Sequence, residues 1–80
     1  MTMDFLNWTK QWFSEIVEQD VDSDLNLFDS GIIDSFQLIM LIEDIEQLID
    51  KKFTEQLMQD ERLGTIRGIA KIIEELDLDV

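Results

Sequence analysis

Eighty residues are enough for one domain, residues 1–80, with a core so small that burial only narrowly outweighs chain entropy. With no Cys and no His, the chain has no disulfide framework, no thiolate or imidazole metal site and neither usual nucleophile dyad. An independent enzyme is therefore not expected. The formal net charge of −13, from 19 acidic and 6 basic residues, repels nucleic acid and anionic membranes and favours basic protein surfaces.

At about 100° per residue, Phe5, Leu6, Trp8, Trp12, Phe13, Ile16 and Val17 fall on one half of a helix. Asn7, Lys10, Gln11, Ser14, Glu15 and Glu18 fall on the other, which predicts a first amphipathic helix from about Met3 to Gln19. Its aromatic stripe reads as core. From Asp20 to Asp34 the periodicity fails, and Asp, Ser, Asn and Gly favour local turns. This is one long loop, which Leu25, Leu27, Phe28, Ile32 and Ile33 are expected to pin to the core.

A second helix is predicted from Ser35 to about Asp50, with Leu38, Leu41, Ile42, Ile45, Leu48 and Ile49 facing the core. Phe36 and Met40 project to the opposite side among Gln37, Glu43, Asp44 and Gln47. That gives a small apolar patch ringed by acids, which reads as a docking surface for a partner protein. Phe53 and Thr54 begin a short third helix in which Leu57 and Met58 can pack inward, and Gly64 suits its exit. Thr65 can cap a last helix through Leu76, with Ile66, Ile69, Ala70, Ile72, Ile73 and Leu76 inside and Arg67, Lys71, Glu74 and Glu75 outside. The fold expected is all-α, a small four-helix bundle with three long helices, one short helix and a long first loop.

The N-terminus has acids and two Trp where a signal peptide needs a basic end and an apolar run, and no stretch approaches membrane-spanning length. A soluble, cytoplasmic, monomeric protein with no stable membrane insertion is expected. Self-repulsion at this charge predicts a melting temperature that rises with salt; one that ignores salt would contradict this.

Asp20, Asp22, Asp24 and Asn26 alternate like the opening of a calcium-binding EF-hand loop. The match then fails, with Leu25 where the turn needs Gly and Gly31 where the bidentate Glu belongs, so no dedicated metal site is expected. Ser35 carries two readings from its residues alone. It can be simply the N-cap of the second helix, or its hydroxyl can carry an anionic group at the positive end of the helix dipole, beside free N–H donors. Asp34 adds negative charge next to either.

The run Leu27-Phe28-Asp29-Ser30-Gly31-Ile32-Ile33-Asp34-Ser35-Phe36 resembles the acyl carrier protein family, whose motif reads Asp-Ser-Leu after a Gly-containing loop. The resemblance covers nearly the whole chain and is most specific from Leu25 to Leu48. It implies that Ser35 carries 4′-phosphopantetheine, moved from coenzyme A by a phosphopantetheinyl transferase, and that Asp34 helps that enzyme's Mg²⁺ site. The arm's thiol would hold an acyl or aminoacyl group as a thioester for delivery in lipid, polyketide or related biosynthesis. Activating ligases and acyl-transfer or condensing enzymes with basic surfaces are the implied further partners. Glu43, Asp44, Glu46, Asp50 and Asp29 are the acids expected to meet them.

Two departures stand out: Phe36 replaces the family's Leu, and no Pro precedes the third helix. Asp before Ser is more similar to acyl than to peptidyl carriers. The same run is also similar to carriers served by a dedicated ligase, such as the D-alanyl carriers, and the residues leave these open. The rival from another class is a non-covalent acidic helical adaptor or inhibitor bound to a basic partner surface, for which Ser35 would be dispensable.

Overall fold

A computed structural model describes residues 4–78 of the chain. These form α1 (Phe5–Val17), α2 (Ser35–Ile49), the short α3 (Glu55–Met58), a 3₁₀ turn (Glu61–Gly64) and α4 (Ile66–Leu78). The described residues are all-helical, in the small bundle that the apolar periodicity predicts. The expected start of the first helix at Met3 lies outside the described residues.

Each helix begins where a short polar side chain replaces a missing backbone partner. Asp4 Oδ1 accepts from Asn7 N at 3.1 Å to open α1, Thr54 Oγ1 accepts from Leu57 N at 3.2 Å to open α3, and Thr65 Oγ1 accepts from Gly68 N at 2.9 Å in the first turn of α4. α1 and α2 end on left-handed residues that are not glycine, Glu18 with φ 57° and Asp50 with φ 55°.

α4 is the spine of the core. Its Ile66, Ile69, Ile72 and Ile73 are fully buried, joined in one cluster by Phe13 of α1, Leu41 and Ile45 of α2, Leu27 and Ile33 of the long loop, and Leu63. Burying each such aliphatic side chain contributes about 1.5–3 kcal/mol. α1 lies along α4, with the 3₁₀ turn against its start. Thr9 is completely buried on the packed face of α1 because its hydroxyl donates to Phe5 O at 2.7 Å.

Several side chains depart from the sequence expectation. Ile16 is 39% exposed although it lies in line with the buried Phe5, Thr9 and Trp12, because it stands in the last turn of α1. In the loop, Leu27 and Ile33 are buried and Ile32 half-buried, but Leu25 and Phe28 are exposed, and Val21 is buried in their stead. The predicted third helix is two pieces, α3 and the 3₁₀ turn; Leu57 is half-buried, Met58 is exposed, and Leu63 fills the core. Gly64 is not a left-handed exit; its carbonyl instead accepts from Leu27 N at 2.7 Å, tying the long loop to the end of the 3₁₀ turn.

Candidate functional site

The approach to α2 is built around the backbone of Leu27. Its carbonyl accepts from Ile32 N at 3.1 Å, Ile33 N at 3.3 Å and Ser30 Oγ at 3.2 Å. Asn26 Oδ1 accepts from Phe28 N at 3.1 Å and Asp29 N at 2.9 Å. The chain reverses through Gly31, whose φ of 77° is costly for any residue with a Cβ. Arg67 N donates to Ser23 O at 3.0 Å, and Arg67 Nε donates to Asp24 Oδ1 at 2.8 Å, so the first turn of α4 grips the same loop. With Ile33 buried next in line, the start of α2 is held at a fixed point on the surface.

Asp34, not Ser35, is the N-cap. Its backbone is extended, and its Oδ1 accepts from Gln37 N at 2.9 Å while Gln37 Oε1 accepts from Asp34 N at 3.2 Å, a reciprocal capping box. Ser35 is therefore the first residue with helical geometry, exposed, with a hydroxyl that has no hydrogen-bond partner among the described residues. Ser35 as cap is overturned for a local reason: Asp34 reaches Gln37 across the spacing that a box requires. The pattern Asp34-x-x-Gln37 is the sequence signal that identifies it.

The cap consumes Gln37 N, and Leu38 N closes on Asp34 O at 3.0 Å. The N–H groups of Ser35 and Phe36 are left open at the positive end of a fifteen-residue helix. A phosphodiester on Ser35 Oγ would displace no bond there, and the Ser35 and Phe36 N–H groups would be free to donate to it, with the adjacent Asp34 carboxylate opposing it. Beside it, Phe36 is 70%, Ile39 50% and Met40 37% exposed, an apolar patch larger than the Phe36 and Met40 pair that the sequence suggested.

The acids expected to ring the patch divide into kinds. Glu43 and Gln47 are exposed, as are Asp29 and Asp50 in the flanking loops. Glu46 is turned inward: Oε2 accepts from Phe53 N at 2.7 Å, Lys52 Nζ lies 4.0 Å from Oε1, and the side chain is 18% exposed. It closes the α2–α3 connection and is not a free docking acid. Asp44 is exposed but engaged, its Oδ2 accepting from Trp12 Nε1 at 2.7 Å. Gln37, half-buried, is occupied by the capping box.

The alternating acids of the long loop serve it internally. Asp22 Oδ1 accepts from Asp24 N at 2.8 Å, Asp24 pairs with Arg67, and Asn26 caps the following turn. Bonding from the Arg67 guanidinium holds the Asp24 carboxyl below the usual range. Among the described residues no group of three or more His, Cys, Asp or Glu is arranged to hold a metal ion. No described helix is long and apolar enough to cross a membrane.

An exposed serine hydroxyl on the first turn of a helix, fixed by a clamped loop in a small helical bundle, is an arrangement that suits a carrier domain. The family described as Phosphopantetheine attachment site matches residues 8–73, and the chain belongs to it. The chain is 30% identical over 77 residues to the D-alanyl carrier protein of Staphylococcus saprophyticus subsp. saprophyticus, covering 92% of this chain and 99% of that protein. It is thus a carrier protein and not a catalyst, and its cofactor is covalent 4′-phosphopantetheine. Proteins of this family work with phosphopantetheinyl transferases and with ligases or acyl-transfer enzymes.

Proposed function

We propose that Ser35 Oγ is the attachment atom and that the chain delivers an aminoacyl or acyl group, D-alanine foremost, between a dedicated ligase and an acceptor enzyme. What carries this reading is the unspent Ser35 hydroxyl, left exposed on the first turn because Asp34 does the capping. When bound, the arm supplies the terminal thiol that a Cys-free chain lacks and so a thioester link to the cargo. The chain's own residues would position it: Gly31 and Leu27 fix the loop, Asp34 and Gln37 fix the helix start, and the free N–H groups of Ser35 and Phe36 would be available to its phosphate.

Docking falls to Phe36, Met40, Glu43, Asp44 and Gln47, joined by Ile39, with Gln37 acting through the cap. The acidic rim suits fast, reversible encounter with basic enzymes. The D-alanyl carrier relative, aligned along nearly its whole length, favours the aminoacyl cargo over fatty or polyketide chains. Because coenzyme A and ATP supply the arm and the activation, the cytoplasm is the compartment for this work.

Incubation with coenzyme A and a promiscuous phosphopantetheinyl transferase should add one phosphopantetheinyl mass, mapped to the peptide bearing Ser35 and absent in Ser35→Ala. The loaded protein should then accept D-alanine from a D-alanine carrier ligase and ATP. An unmodified wild-type chain beside a modified control carrier would overturn the attachment. It would leave the non-covalent adaptor, for which Ser35→Ala is silent.

A further inference from the structure

Between Lys10 and Lys51 the chain has no basic residue, so α2 and the loop before it offer acids alone. On α2 itself these are Glu43, Asp44 and Glu46. Glu46 is withdrawn into the α2–α3 connection. Glu43 is exposed with no partner among the described residues, a free rotor whose ordering costs entropy when a partner binds. Asp44 alone is both exposed and aimed.

The aim comes from α1. Trp12 is 8% exposed, and its ring is fixed edge-on against Phe13 at 5.0 Å and 73°. Its indole N–H meets Asp44 Oδ2 at 2.7 Å, the short distance of a bond to a charged acceptor. That bond satisfies the buried indole and occupies one carboxylate oxygen, leaving Oδ1 for another donor. Asp44 stands one turn beyond Met40, on the α1 flank of the exposed Phe36, Ile39 and Met40 patch.

We propose that Trp12 sets which acid of the docking face is used: its indole N–H holds Asp44 in one rotamer, so that Asp44 rather than Glu43 meets a guanidinium or ammonium group of the partner enzyme. This rests on the reading of α2 as the docking face next to Ser35. Trp12 is then a positioning residue that acts through Asp44. The occupant is argued from charge: a carboxylate with one free oxygen, in a stretch without a single base, complements a cationic side chain. A preorganised acid also loses less freedom on binding than Glu43 does.

Binding to the phosphopantetheinyl transferase is measured without coenzyme A in a Ser35→Ala background, so no modification occurs whether or not Ser35 is the attachment atom. Asp44→Asn keeps the acceptor for Trp12 and removes the charge; its Kd should rise about tenfold. Glu43→Gln, the same charge change on the unanchored neighbour, should raise Kd less than half as much. Trp12→Phe keeps a smaller aromatic ring and removes the N–H; its Kd should rise too, but add nothing in the Asp44→Asn background, a non-additivity that lost stability alone does not produce.

Circular dichroism confirms that each variant is folded at the assay temperature; should Trp12→Phe fail to fold, the Asp44→Asn and Glu43→Gln comparison decides. Equal shifts for Asp44→Asn and Glu43→Gln, or an unchanged Kd in folded Trp12→Phe, would overturn the proposal. Absence of mass gain on the wild-type chain would instead overturn the attachment at Ser35.

Discussion

Asp34 and Gln37 close the first turn of α2 on each other, with the carboxylate of one taking the N–H of the other at 2.9 Å and the return bond at 3.2 Å. The residue preceding the proposed attachment serine is thereby a structural cap as well as a charge. Asp34→Ala should cost about 1 kcal/mol of stability, whereas Asp34→Asn, an equally good cap, should melt within a few degrees of wild type. Both should be modified more slowly by the transferase. A melting curve paired with the rate of mass gain separates the roles; wild-type modification of Asp34→Asn would mean that the residue only caps.

Gly68 reverses the usual rule for a glycine inside a helix. Replacing a mid-helix glycine with alanine ordinarily stabilises by about 1 kcal/mol. Here a Cβ would intrude on the backbone carbonyl of Arg62, where the 3₁₀ turn crosses α4. Gly68→Ala should therefore destabilise, by about 1–3 kcal/mol, the usual range for overpacking. Urea denaturation gives the sign directly, and a more stable variant would contradict the close crossing.

The left-handed ends of α1 and α2 predict an opposite result. Glu18 and Asp50 hold φ of 57° and 55°. Asp tolerates this conformation better than Glu, which has no short side chain to bond locally. Glu18→Gly should gain up to about 1 kcal/mol, and Asp50→Gly less. Thermal melts of the two variants, compared with wild type, test the order.

The pH dependence of stability should carry the signature of Asp60. Its carboxyl is held below the ordinary value of 3.8 chiefly by hydrogen bonds from the Arg62 side chain, then by the Arg62 backbone N–H. The guanidinium is in turn raised by Asp60 and Glu75, which it meets at 2.9 and 2.6 Å. A carboxyl with a depressed folded pKa stabilises above its unfolded value and loses that contribution as pH falls through the folded one. Asp60→Asn should accordingly melt below wild type at pH 7, with the gap narrowing as pH drops under 3.8. A gap that persists unchanged in acid would exclude the charge as its source.

How far the sequence predicted this arrangement depends on the range of the interaction. The α2 stripe of Leu41, Ile42 and Ile45 and the turn-forming loop before it are local patterns, and both are found as read. Residue type alone leaves the cap of α2 open, because Asp and Ser, adjacent here, are equally good cap formers; only the partner three residues on distinguishes them. Trp12 and Asp44 are 32 residues apart, and nothing local marks either as the other's partner. The same holds for Gly68, whose neighbour is supplied by the crossing 3₁₀ turn, and for Ile39, whose exposure depends on how α2 sits among the other described elements. Phe28 is exposed where the sequence predicts burial, because an apolar residue in a tight turn cannot be told from its neighbour Leu27 until the turn's hydrogen bonds choose which one points inward.

The one-residue offset between cap and hydroxyl has a consequence for cycling. A substituent on the proposed attachment atom, Ser35 Oγ, would remove no bond from the helix it stands on. Bare and modified forms would thus keep the same Asp34–Gln37 cap, and cargo carried at the far end of an arm would come and go without opening the first turn of α2.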